Sequence, residues 1–182
     1  VPLGLLIAWV MARYRFPGYG LADPLIDMPL ALPMAVAGIS LTALLAPQGW
    51  IGSLFTPLGI KIAYTPLGIV VALVFVGLPF VVRILEPVIA DLPADAEEAA
   101  ATLVATRLQT LWPVILPALG PALVAGFGAA LARGVSEYGS VIFIAGNMPM
   151  RTEIAPLLIV IQLEQLKYAD AAALGLATLI LS

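Results

Sequence analysis

Arg133 and Glu137 stand four residues apart inside a long apolar stretch. On a helix that spacing puts both side chains on one face, where they can pair. A lone charge within a bilayer costs roughly 2.5 to 3.5 kcal/mol on insertion scales, so such a pair should face the bundle interior or water. Two roles follow from the residue types. Either Arg133 donates to a passing anion while Glu137 keeps that anion from being trapped, or the two form a structural ion pair that fixes packing between helices. A second group of charges, Asp91, Asp95, Glu97 and Glu98, surrounds Pro93 and precedes Ala99, Ala100 and Ala101. Acids near the positive end of the dipole, proline in the first turn and then strong helix formers mark a helix start. The acids there serve helix stability alone or meet a basic partner.

Other chemistries lack their residues. With 0 Cys and 0 His, there is no disulfide, thiol nucleophile, imidazole base or usual zinc ligand set. No paired carboxylates within the apolar segments replace them. The sequence contains no G-x-x-x-x-G-K-[ST] loop for a nucleotide. A net charge of −3, from 8 basic and 11 acidic residues, argues against nucleic acid, which requires a positive stripe that the sequence does not show. The expectation is a non-catalytic chain with no cofactor of its own.

The elements that hold these charges are set by a composition far from that of a soluble domain. Of 182 residues, 62% are hydrophobic and 10% charged, and the mean hydropathy is +1.10. Ordinary soluble domains are about half apolar and a quarter charged. The apolar residues come as long runs, which makes the bilayer the solvent. A spanning helix needs about 20 apolar residues. Three stretches meet that, at about 24–45, 64–82 and 117–145, with partial spans over 1–12 and about 169–182. Val1 already lies in an apolar run and Ser182 closes one, so the chain reads as a fragment cut at both ends, a single transmembrane domain over 1–182. The ten residues Ile154 to Leu163 are too few to span and predict an interfacial or re-entrant segment. The stretch Ala46 to Ala63, broken by Pro47, Gly49, Gly52, Pro57 and Gly59, predicts a loop.

Alternating spans place Arg13, Arg15, Arg83 and Arg107 on one side and Lys61, Arg151 and Lys167 on the other. That margin of one puts the polar stretch 86–112 on the cytoplasmic side. Trp9, Tyr14, Phe16, Trp50, Tyr64 and Trp112 fall near span ends, where amphipathic rings meet lipid headgroups. Pro29, Pro33 and Gly38 interrupt the first full span and predict a kink. Ala118, Ala122, Gly126, Ala130 and Gly134 recur every four residues, a smooth stripe that lets another backbone come close, at a partner subunit or an internal helix contact.

Within the polar stretch, Thr106 and Gln109 fit a capping box, so the loop reads as a helix, a break near Val104 and Ala105, and a second helix entering a span. Glu98-Ala99-Ala100, followed in register by Val114-Ile115-Leu116-Pro117, resembles the EAA loop of ABC importer permeases. Val114 takes that motif's Ile position, while Leu116 and Pro117 match. Val104 stands where the family has Gly, and a β-branched residue disfavours the positive φ that Gly allows. This departure shifts the bend toward Ala105 or weakens coupling. The resemblance implies a coupling helix, with Glu97, Glu98, Ala99 and Ala100 at the contact with a cytoplasmic ATPase.

Two further segments are similar to the sulfate and thiosulfate permeases of that class, in particular the T-type subunit. The first is Arg13-Tyr14-Arg15-Phe16-Pro17-Gly18 with Leu30-Ala31-Leu32-Pro33 and Ala35-Val36-Ala37-Gly38. The second runs from Arg133-Gly134-Val135-Ser136-Glu137-Tyr138-Gly139-Ser140 through Phe143-Ile144-Ala145-Gly146-Asn147 to Arg151-Thr152-Glu153-Ile154-Ala155-Pro156-Leu157. Molybdate and tungstate permeases share the Arg-Tyr-x-Phe-Pro-Gly and Leu-Pro elements and are the nearest alternative. The resemblance implies an all-α polytopic permease with a type I importer fold in the bacterial inner membrane, surrounded by lipid. Its implied partners are a second, W-type permease subunit, an ATPase dimer that hydrolyses the ATP, and an extracytoplasmic sulfate-binding protein. An ion-coupled secondary transporter is the rival of another class; it predicts inverted repeats and midplane carboxylates, and neither is clear in the sequence.

Overall fold

The computed structural model describes residues 1–92, 113 and 115–181. Every regular element among them is helical: α1 (Pro2–Arg13), α2 (Tyr19–Ala31), α3 (Met34–Leu45), α4 (Gly52–Phe55), α5 (Pro66–Ala90), α6 (Leu116–Val135), α7 (Val141–Ala145), α8 (Ala155–Glu164) and α9 (Tyr168–Leu181). Two of these, α5 with 25 residues and α6 with 20, are long and apolar enough to cross a membrane, and α2 with α3 make a third if the bent pair is one span. The chain divides into two compact units, residues 1–26 with 78–130 and residues 27–77 with 131–182.

The first unit packs α1 against the second half of α5. Ala8, Met11, Val81, Val82, Leu85, Ile89, Ile115 and Leu119 form its buried core. Val82, Leu85 and Ile89 follow the three-and-four spacing of one helix face, which is why the apolar contact continues past the charge of Arg83. Consequently α5 runs to Ala90, through residues the sequence assigns to the start of the polar loop. Close approach is allowed by Gly4, where an added Cβ would lie 2.5 Å from Val81 Cγ1.

The small-residue stripe on α6 is largely an internal contact. Gly126 is buried, Ala122 and Ala130 pack against the core of the first unit, and Gly134, in the second unit, lies beside Leu73. Only its first member, Ala118, is exposed.

In the second unit Leu45, Ala63, Ala72, Val141, Ile144 and Ala145 are the buried core. The predicted kink near Pro33 is a break: α2 ends at Ala31 and α3 starts at Met34, with 113° between their axes. Proline lacks the donor that would continue the ladder, and it biases the residue before it away from helical ψ. Pro33 itself sits at ψ 129° as the N-cap of α3. The stretch 117–145, read from sequence as one span, is likewise a helix to Val135, a turn, and the short α7. Gly38 on α3 makes the close approach to that turn, because any Cβ there would collide with the backbone carbonyl of Ser140. The segment 154–163 falls almost wholly in the ten-residue α8, with Ile154 as its N-cap, and α8 packs on α9. At about 1.5 Å per residue it is about 15 Å long, half a bilayer's hydrocarbon depth.

Substitution Gly38→Leu should therefore lower the stability of the detergent-solubilised protein by at least about 2 kcal/mol through overpacking. Gly128, with nothing within 4 Å of its missing Cβ, is the control, since Gly128→Ala should raise stability by about 0.5 to 1 kcal/mol. Thermal unfolding of the two variants in parallel checks both.

Candidate charged site in the second unit

Arg133 lies in the last turn of α6, and Glu137 follows just beyond the helix end. The pair is formed: Arg133 Nη2 is 2.8 Å from a Glu137 carboxylate oxygen, Oε2. The other oxygen, Oε1, accepts two hydrogen bonds from Ser140, one from the backbone N–H and one from the hydroxyl, each at 2.8 Å. The Glu137 side chain is 1% exposed and that of Arg133 25%. A carboxylate so deeply buried is tolerable only because both oxygens hold partners, one of them cationic. Ser140, fully buried, is the N-cap of α7, so Glu137 reaches across the turn and satisfies a donor that α7 leaves open.

Arg133 has one further neighbour, the Met34 sulfur, 3.3 Å from Nη2. Thus one terminal nitrogen of the guanidinium serves both Glu137 and the first residue of α3. The remaining donors, on Nε and Nη1, have no hydrogen-bond partner among the described residues, and neither is a buried orphan. The arrangement offers a charge-compensated guanidinium whose Nη2, the nitrogen common to both of its two-donor edges, is committed.

After α7 the chain forms a tightly held turn. Thr152 is buried; its hydroxyl accepts from the Met148 N–H at 2.8 Å, and Glu153 Oε2 accepts from Met150 N–H at 2.8 Å. Asn147 and Met150 are held at φ 45° and 59°, and Arg151 stays exposed.

A second charged cluster, in the first unit, escaped the sequence reading. Arg83 Nη1 lies 2.8 Å from Asp23 Oδ1 and 3.0 Å from Glu86 Oε2, and Nη2 donates to the Asp23 carbonyl at 3.2 Å. Tyr19 adds its hydroxyl, 3.5 Å from Glu86 Oε1, and Arg15 stacks 4.3 Å over the Tyr19 ring. The three-residue spacing of Arg83 and Glu86 was the available signal; the partner on α2 had none. Ser140 was also missed, although a Ser three residues after a buried Glu is a ready local donor.

Of the other residues singled out by sequence, Glu97, Glu98, Ala99, Ala100 and Val104 lie outside the described residues. Leu116 and Pro117 open α6, where the coupling motif of the resemblance ends.

Among the described residues the chain is apolar and helical with charges paired inside it, an arrangement compatible with a membrane transport component. The whole chain, residues 1–182, matches the family described as binding-protein-dependent transport system inner membrane component, and it belongs to that family. It is 48% identical over 179 residues to the sulfate transport system permease protein CysT of Synechococcus elongatus, covering 98% of this chain and 64% of that protein. The similarity to the protein of the same name from Escherichia coli is 48% over 172 residues, covering 94% and 62%. A probable sulfate transport system permease protein of Chlorokybus atmophyticus is 47% identical over 179 residues, covering 98% and 62%. The chain thus spans somewhat less than two thirds of the length of these relatives.

The burial asymmetry of the pair fixes the order of its variants. Arg133→Ala leaves the Glu137 carboxylate buried without its cation and should cost about 3 kcal/mol or more. Ser140→Ala removes one neutral donor and should cost about 1 kcal/mol. Unfolding midpoints of the purified variants should rank wild type above Ser140→Ala above Arg133→Ala.

Proposed function

We propose that this chain is part of a permease subunit of an ATP-driven importer for sulfate or thiosulfate. The observation that carries this is the 48% identity, along nearly the entire chain, to a permease named for sulfate transport. The chain itself is non-catalytic and holds no cofactor. Its helices form part of the translocation path, and a partner ATPase dimer hydrolyses the ATP. A second permease subunit of the W type completes the path, and an extracytoplasmic sulfate-binding protein selects and delivers the anion. The complete assembly resides in the bacterial inner membrane as a multi-pass protein.

The segment 86–112 couples this chain to the ATPase. Glu97 and Glu98 offer acids to a basic groove, while Ala99 and Ala100 let the two surfaces approach closely. Val104 replaces the glycine at the bend, and Leu116 and Pro117 carry the motion into α6. An acid at such a contact that is replaced by a base meets like charge on the partner.

Radiolabelled sulfate uptake tests the reading, with the full-length gene co-expressed with its ATPase, partner permease and binding protein in a bacterium lacking its own sulfate system. Wild type should restore ATP-dependent uptake. Glu98→Arg should reduce it about tenfold or more, the loss expected for a reversed hot-spot contact, with the complex still assembled in the membrane. Uptake of molybdate without sulfate would reassign the cargo, and full uptake by Glu98→Arg would reduce the segment to a capped connector.

A further inference from the structure

We infer that the segment 46–60, with Trp50, Leu54 and Leu58 foremost, is immersed in the lipid interface at the membrane face where α5 begins, so that its partner is the phospholipid bilayer. Only the passage of α5 through a membrane is needed for this, and the cargo proposed above does not enter.

The sequence predicts a loop here, whereas the structure shows a closed helical cap on the end of α3. Turns over residues 46–51 lead into α4, which runs straight into a 3-10 turn, Thr56–Leu58. Its backbone donors are used within the cap or on α3: Ile51 N–H donates to the Leu44 carbonyl at 3.1 Å, Gly49 to Ala46 at 2.8 Å, Ser53 to Gly49 at 2.9 Å and Gly59 to Thr56 at 3.0 Å. The two hydroxyls are also committed, Ser53 Oγ to the Trp50 carbonyl at 3.2 Å and Thr56 Oγ1 to the Gly52 carbonyl at 3.1 Å. Gly52 presses against the chain end of α3, since a Cβ there would strike the Ala46 carbonyl. Polar backbone satisfied in this way can leave water without the cost of unpaired groups.

What the cap turns outward is apolar. Trp50 is 86% exposed, Leu54 70% and Leu58 71%, and Ile51 and Ile60 are exposed as well. No Asp, Glu, Lys or Arg occurs from Ala46 to Ile60. A water-facing connection does not combine large exposed apolar side chains with a lack of charge, and such a patch marks a surface that is covered. Lipid fits it better than protein does. Protein interfaces add directional hydrogen bonds from a polar rim, and here the hydroxyls of Ser53 and Thr56 already serve the cap itself. A bilayer asks for apolar area and for an amphipathic ring at the headgroups, which Trp50 supplies.

Chain connectivity sets the depth. Arg83, with its partly exposed acid partners, follows Pro66 by 17 residues of α5, about 26 Å at about 1.5 Å per residue, against about 30 Å of hydrocarbon. With Arg83 at one edge of the hydrocarbon, Pro66 lies at the other, and the cap precedes it by only a few residues. Exposed apolar residues then continue down α5 as Leu67, Val70 and Val74, the three-and-four spacing of a lipid-facing stripe. Between cap and helix stands Lys61, exposed, the first charge after α3 and long enough to reach headgroups.

The test uses the complete transporter with the full-length chain, reconstituted in vesicles of phosphatidylethanolamine and phosphatidylglycerol. Residues 1–182 contain 0 Cys, so a nitroxide on Leu54→Cys is a single probe once cysteines elsewhere in the complex are replaced. Its collision rate with oxygen, which partitions into lipid, should exceed that with a water-soluble nickel chelate severalfold, and adding loaded binding protein should leave both rates unchanged. Leu58→Cys should behave alike and decides the question should Leu54→Cys not assemble. Trp50 fluorescence, taken as wild type minus Trp50→Phe, should be quenched more by a lipid nitroxide near the headgroup than by one near the chain methyl. Faster collision with the nickel chelate than with oxygen puts the cap in water and overturns the inference. Low rates with both reagents reveal cover by another subunit, and a water-accessible label that loses access when loaded binding protein is added reveals a protein dock; either result overturns it as well.

Discussion

The Glu137 carboxylate governs the second unit, because a buried anion has to find donors and the way they are supplied shapes the backbone around it. One donor comes from the turn of helix before it and two from the residue three positions after it. Meeting both demands ends α6 at Val135 and starts α7 at Val141. The turn between them is then held from both sides, and Ser140, pinned by Glu137, becomes the surface against which Gly38 packs without a side chain. Met34, one helical turn before Gly38, meets the same guanidinium. A single desolvated charge thus aligns α3, the end of α6 and α7.

The first unit answers the same problem differently. Arg83 sits between Asp23 and Glu86 with its side chain 34% exposed, so its charge is spread over two acids that keep contact with solvent. Such partly exposed bridges contribute about 0 to 1 kcal/mol each. Their value is geometric: they let α5 carry a charge without ending, since the face bearing Val82, Leu85 and Ile89 remains buried across it. One arginine in this protein terminates its helix environment and another is absorbed by it, and the difference is whether the opposing carboxylate is buried.

Much of this was legible in the sequence because it follows from composition and from local spacing. Long apolar runs announced membrane helices, and the four-residue interval announced the Arg133–Glu137 pair. The coupling motif was legible as a pattern, while its acids and Val104 fall outside the described residues. What could not be read were the breaks. Hydropathy sees 117–145 as continuous, since the turn that interrupts it is closed by buried apolar residues such as Val141 and Ile144, and the event that breaks it is a hydrogen bond. Pro33 gave warning of a bend, yet its size of 113° depends on which neighbours α3 packs against. Asp23 is distant in sequence from Arg83, so their meeting leaves no local trace at all.

The same distinction separates what a permease needs from what its composition supplies. Apolar length is enough to place helices in a bilayer, where each backbone donor and acceptor is satisfied within its own helix. A path for an anion needs the opposite, polar groups that are left partly unsatisfied until cargo passes. Such groups are costly and cannot be scattered through the fold. They persist only where a fully satisfied neighbour holds them, as the Glu137 carboxylate with its three donors holds Arg133 through Nη2.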